Sequence, residues 1–195
     1  MSDGMRRLIL FMVLSLDGFV GGPNGEMDWE NRDPQVGMEM STPLINTIDT
    51  ILIGRVLYKG FEQAWPAMAT NPTSPKELVD FANWIENSQK VVFSNTLKAV
   101  SWKNSRIVPA KSDDDIVKEV ARLKQGEGKD MIVFGGARLA QTLSRLGLID
   151  EYRFKLQPVA LGSGLQLFKG KTNLKLVKSK EFKSGVIGLY YQPVR

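Results

Sequence analysis

Apolar positions fall into short runs along this chain, and polar or turn-forming residues separate them. Residues 7–14 (RLILFMVL), 50–55 (TILIGR), 90–95 (KVVFSN), 105–110 (SRIVPA), 131–134 (MIVF) and 150–157 are such runs. A continuous apolar run of this length, bounded by turn residues, suits a strand buried on both faces. Between the runs the spacing changes to that of helices. Val36, Met40, Leu44, Ile45 and Ile48 predict a helix over 35–48 in spite of Pro43. Leu57, Tyr58 and Phe61 predict a short helix opened by Arg55, followed by a Pro-rich loop over 64–75. Leu78, Phe81, Ala82 and Ile85 give one face of a helix over 76–86. Ser112 reads as the cap of the next helix, whose first turn holds Asp113, Asp114 and Asp115, where negative charge is favoured. Ile116, Val120 and Leu123 form its apolar face, and Leu139, Leu143 and Leu146 that of another. Residues 173–183 and 186–193 flank Ser184-Gly185, a hairpin signal. Strands alternating with helices, then strands alone, predict one α/β domain over 1–195. Its sheet is mixed and mostly parallel, with an antiparallel C-terminal edge.

Composition narrows the chemistry. The 195 residues include no Cys and no His, so thiolate zinc sites, Cys nucleophiles, Ser-His-Asp catalysis and His-based metal sites are excluded. Proton transfer falls to carboxylates, Tyr, Lys or water. No apolar run is long enough to span a bilayer, and the short run near the N-terminus lacks a small-residue cleavage site, so a cytoplasmic protein is expected. The net charge of +5 is concentrated late, in Lys169, Lys171, Lys175, Lys178, Lys180 and Lys183. These alternate with apolar residues rather than aromatics, which predicts a solvated strand face and not a nucleic-acid stripe.

Two stretches carry candidate chemistry. In MIVFGGARLAQTL (131–143) a strand pattern meets Gly135 and Gly136 and continues as an amphipathic helix. Free N–H groups at a helix start, beside residues without Cβ, make a seat for a pyrophosphate. A tight strand-to-helix turn also prefers Gly, and this stretch alone leaves both readings open. The spacing after Gly136 is not that of GxGxxG. The second stretch, SLDGFVGGPNGEMDW (15–29), is a long loop rich in turn residues. Its Trp29 could close over a ring or simply anchor a surface loop.

Gly54-Arg55, Ser94-Asn95 and Gly135-Gly136 each end an apolar strand, where ligands bind in open α/β sheets. Together with SLDGFVGGPNGEMDW and VALGSGLQLF (159–168), these motifs resemble, in order and spacing, the dihydrofolate reductase family. The resemblance is closer still to the reductase domain at the C-terminus of riboflavin-biosynthesis deaminase-reductases. It implies a three-layer α/β/α fold, NADPH as cofactor, a small-molecule substrate and, by analogy, a homodimer. It implies that Val13 and Val20 flank the nicotinamide. Gly54, Arg55 and Val56 would meet the pyrophosphate and adenosine phosphate, with Ser94 and Asn95 near the 2′-phosphate. Phe134, Gly135, Gly136, Ala137, Arg138 and Leu139 would wrap the other side of the pyrophosphate. Phe11, Asp17 and Trp29 would line the substrate side, although Asp17 also reads as a turn residue bonding its own backbone. In the family the Gly-Gly peptide is often cis. Leu57 stands where folate enzymes usually carry Thr, and neither Asp33 nor Glu39 has the spacing of their pterin-binding carboxylate. No Arg lies between Arg55 and Arg106 to fork onto a folate tail.

Overall fold

The computed structural model describes residues 4–194. In chain order its elements are β1 (Leu8–Leu14), α1 (Pro34–Met40), α2 (Leu44–Thr47), β2 (Ile48–Gly54), α3 (Arg55–Ala69), α4 (Lys76–Asn87) and β3 (Gln89–Phe93). They continue as β4 (Ser105–Val108), α5 (Asp113–Gln125), β5 (Asp130–Phe134), α6 (Ala137–Arg145), β6 (Glu151–Leu156), β7 (Leu174–Glu181) and β8 (Ile187–Pro193). The eight strands form one sheet in the order β4-β3-β2-β5-β1-β6-β8-β7. The first six run parallel, and the hairpin of β7 and β8 joins β6 antiparallel.

The apolar runs belong to the middle of this sheet. Alternate residues of β1 enter opposite cores: Leu8, Leu10 and Met12 meet α5 and α6, whereas Ile9 and Phe11 meet α1 to α4. Each strand that is buried twice must be apolar at every position. Full burial of one such side chain is worth about 1.5–3 kcal/mol, so both helical layers are held by the same few strands. At the edge, β7 is exposed and carries the late lysines Lys175, Lys178 and Lys180, as the alternation predicted.

Several boundaries differ from the sequence expectation. The helix foreseen over 35–48 is two short helices, interrupted at Ser41–Pro43. Pro lacks an N–H and its ring disfavours helix before it, so one helix cannot pass through. Ile48 already belongs to β2. Residues 64–69, expected as loop, instead extend α3 through Pro66. Trp65 continues the apolar face begun by Tyr58 and Phe61 and packs 5.6 Å from Phe61 and 5.5 Å from Phe81 of α4. That packing outweighs the single helical bond lost to Pro66. No cis peptide occurs among the described residues, so the Gly135–Gly136 bond is trans. Lys90, in a buried strand, is not a misplaced surface charge. Its Nζ donates to the carbonyls of Glu86, Ser88 and Lys103 and lies 4.3 Å from the Trp102 ring centroid, closing the end of α4.

Candidate active site

The parallel strands deliver their C-terminal ends to one edge of the sheet, where β2 and β5 are neighbours. Each is followed at once by a helix. α3 starts at Arg55 behind Gly54, and α6 starts at Ala137 behind Gly136. Neither start carries a side-chain cap. Their first-turn N–H groups are therefore open to an outside acceptor, and both macrodipoles present positive ends.

The two starts adjoin. A Cβ on Gly54 would stand 3.9 Å from Leu139 Cβ, and one on Gly135 would stand 3.6 Å from Leu57 Cδ2. Gly135 (φ +47°) and Gly136 (φ +68°) both take the left-handed conformation that glycine tolerates best. Arg55 and Arg138 are exposed and make no ion pair among the described residues. Val56 in the same turn is 75% exposed, unusual for its type. The structure thus brings together Gly54, Arg55, Val56, Gly135, Gly136, Ala137 and Arg138. Leu139 joins them by its backbone only, because its side chain enters the core.

The remaining expected residues are placed differently. Ser94 Oγ accepts from the amides of Thr96 (3.2 Å) and Leu97 (3.0 Å) but keeps its own proton to donate. The Asn95 side-chain amide is spent on the Ala110 backbone, donating to its carbonyl and accepting from its N–H, each at 2.8 Å. Val20 is buried with the α5–α6 core, whereas the alternation of β1 puts Val13 on the opposite face, with Phe11. Their side chains do not share a surface. Phe134 meets Phe11 edge-on at 5.9 Å and Trp84 at 5.9 Å, so its ring faces the α1–α4 side. Trp29 is half-buried and donates its indole N–H to the Glu26 carbonyl within its own loop. Of the carboxylates beyond the loop, Asp33 caps α1 and Glu39 pairs with Lys180.

Loop 15–29 is fastened along the segment after β6. Val20 N–H donates to Leu165 (2.8 Å), Leu165 N–H donates to Gly21 (2.9 Å), and Leu16 N–H donates to Val159 (2.7 Å). Asp17 is the polar rivet of this clasp. It accepts from the Ser15 hydroxyl (2.6 Å) and from the amides of Leu161 (3.1 Å) and Gly162 (2.7 Å). This is a turn-stabilising role reaching across two loops, wider than a bond to its own backbone.

The Ser15 hydroxyl, and then the Gly162 and Leu161 amides, hold the Asp17 carboxyl at about 2, below its ordinary 3.8. A carboxyl with a depressed folded-state pKa stabilises fully above its unfolded value and loses that contribution as pH falls toward the folded one. Asp17→Asn is therefore expected to melt below wild type near neutral pH, with the gap closing between pH 3.8 and about 2. Melting curves across that range check it; a gap independent of pH would refute the assignment.

Sequence reasoning read residues 150–157 as a strand and passed over Lys155. In β6 this residue pairs with Val13 of β1 and Gly188 of β8. Its Nζ lies 5.1 Å from the Phe11 ring centroid. The available signal was a lysine inside an otherwise buried strand pattern.

Comparison with known proteins agrees with this architecture. YyaP, an uncharacterized protein of Bacillus subtilis (strain 168), is 40% identical over 189 residues, covering 95% of this chain and 94% of its own. Among solved structures, RibD of Acinetobacter baumannii superposes with a TM-score of 0.67 at 16% identity, over 100% of this chain and 60% of that one. Dihydrofolate reductase from Enterococcus faecalis superposes with a TM-score of 0.59 at 12% identity, over 97% of each. These two show a shared fold, the dihydrofolate reductase-like α/β arrangement expected above. Residues 6–188 match the RibD C-terminal domain, and the chain belongs to that family of reductase-like proteins.

Proposed function

We propose that this chain is an NADPH-dependent reductase that transfers hydride to a small heterocyclic or sugar-linked substrate. It would resemble 5-amino-6-(5-phosphoribosylamino)uracil reductase of riboflavin biosynthesis. The observation that carries the reading is the adjoining pair of uncapped helix starts, α3 and α6, flanked by Gly54, Gly135, Gly136, Arg55 and Arg138. A dinucleotide phosphate fits such a cradle. Beyond their chain neighbours, a Cβ on Gly135 or Gly136 would meet only Leu57 within 4 Å. The first-turn amides would hold the pyrophosphate, with Arg55, Arg138 and the Ser94 hydroxyl near the adenosine phosphate. Bound there, the nicotinamide would supply the hydride. The chain then needs to position two rings and exclude water, which asks for no His, Cys or metal.

NADPH is expected to bind at least about tenfold more tightly than NADH, the scale of one charged hydrogen bond. Arg55→Ala should narrow the difference. Fluorescence titration of both nucleotides decides it, and equal wild-type affinities would sink the reading. Turnover should favour an aminopyrimidine sugar phosphate over dihydrofolate. Lys76 is already paired with Asp80 at 2.5 Å, and no Arg between Arg55 and Arg106 can fork onto a glutamate tail. A kcat/KM for dihydrofolate above about 10⁵ M⁻¹s⁻¹, within the ordinary enzyme range, would move the chain to the folate branch.

A further inference from the structure

Lys155 is the residue of this face whose chemistry nothing above has used. It lies in β6, between β1 and the antiparallel β8, near the C-terminal edge of the sheet. Strand alternation puts it on the same face as Phe11 and Val13, where α1 also packs. Its stem is partly buried, and its ammonium rests against the Phe11 ring. Phe11 in turn meets Phe134, and Phe134 meets Phe81 and Trp84. One cation therefore stands at the rim of an aromatic wall.

Among the described residues that ammonium has neither a hydrogen-bond acceptor nor an ion pair. The charged groups on neighbouring elements are committed elsewhere. In the loop before α1, Glu30 pairs with Arg32 at 3.5 Å, and Asp33 caps α1. Glu39 of α1 pairs with Lys180 of β7. In β6 itself Arg153 donates to Glu151 at 2.5 Å and lies over the Tyr190 ring of β8. Burial lowers the Lys155 pKa, and the Glu30 charge offsets this only in part. A half-desolvated ammonium with no acceptor is costly unless something brings one. Lysine can only donate. Its missing partner must therefore be an acceptor, and the rings beside it favour a planar body.

We propose that Lys155 recognises the substrate, donating to a carbonyl or anionic oxygen of a planar heterocycle seated beside Phe11. The inference rests on the reductase reading above and narrows its substrate class. The cleft selects a ring edged with acceptor oxygens and disfavours a ring edged with amino donors or carrying positive charge.

The test titrates the whole chain, with and without NADPH, with two small pyrimidines. Barbiturate is an anionic, acceptor-rich ring; 2,4-diaminopyrimidine is donor-rich and readily protonated. Wild type is expected to bind barbiturate at least about tenfold more tightly, the scale of a charge-assisted hydrogen bond. Lys155→Met keeps the apolar stem and should lose that advantage, while its NADPH affinity and melting temperature stay near wild type. Lys155→Arg should restore barbiturate binding. It should also remove the decline expected in wild type as alkaline pH deprotonates Lys155, a change that packing alone would not produce. Preference for the diaminopyrimidine, no barbiturate binding at millimolar concentration, or unchanged binding in folded Lys155→Met would each overturn the proposal. A protein that ignores NADPH yet shows the Lys155-dependent preference would fail the cofactor reading and keep this one.

Discussion

Replacing Gly136 with Val is expected to weaken NADPH binding by more than about 100-fold, equivalent to roughly 3 kcal/mol. Two effects combine. Gly136 sits at φ +68° and ψ +70° as the residue before α6, a conformation that a β-branched side chain adopts only under strain. The new side chain would also stand where a phosphate must approach the first-turn amides. The protein itself has room, since the nearest atoms to a Cβ there belong to Leu57 at 3.9 and 4.0 Å. The fold should therefore survive, with a far-UV circular dichroism spectrum near wild type. Gly136→Asn separates the two effects, because Asn tolerates the left-handed conformation better than Val. If Asn restores stability but not affinity, occupied space is the cause. A folded Gly136→Val protein with wild-type NADPH affinity would show that the glycine pair is only a turn.

The second large effect is expected at Gly164. A Cβ there would lie 2.3 Å from the Gly21 carbonyl oxygen, with backbone φ at +153°. Neither atom can yield without parting the strand-like pairing of loop 15–29 with residues 159–166. That pairing consists of the two bonds between Val20, Gly21 and Leu165 and the Phe19–Gln166 bridge. Gly164→Ala should lower stability by about 2–4 kcal/mol, combining backbone strain with lost hydrogen bonds. Hydrogen exchange should localise the loss, with the Val20 and Leu165 amides losing protection while β2 and β5 keep theirs. Uniform loss of protection across the sheet, or none, would contradict this view of the clasp. Substrate affinity should fall in parallel, because the same pairing holds the covering loop in place.

Particular elements show how much was legible in the sequence. The stretch from Met131 to Leu143 reads as strand, turn and helix, and it folds that way as β5, Gly135-Gly136 and α6. Burial on both faces demands an unbroken apolar run, and a left-handed turn demands glycine, so local chemistry is enough there. The hairpin at Ser184-Gly185 was equally plain, with Gly185 at φ +83°. Pro66 and Pro43 misled in opposite directions. Pro43 does break a helix, yet Pro66 lies inside one, because Trp65 finds Phe81 on another helix. Local propensity cannot weigh a contact that exists only after α3 and α4 meet.

Periodicity and turn chemistry by themselves determined the α/β alternation, the two-faced central strands, the late solvated strand and the glycine-edged strand ends. Each of these depends on residues a few positions apart. Only the tertiary structure decided what the polar side chains do. Asp17 finds its amides 144 and 145 residues away. Asn95 is taken by Ala110, 15 residues on. Glu39 is claimed by Lys180, and Lys155 comes to rest on Phe11. The strand order β5-β1-β6-β8 makes the Asp17, Glu39 and Lys155 meetings possible. A polar group becomes structural or free to bind according to whether folding brings it a partner, and that depends on the neighbour across the sheet rather than the neighbour along the chain.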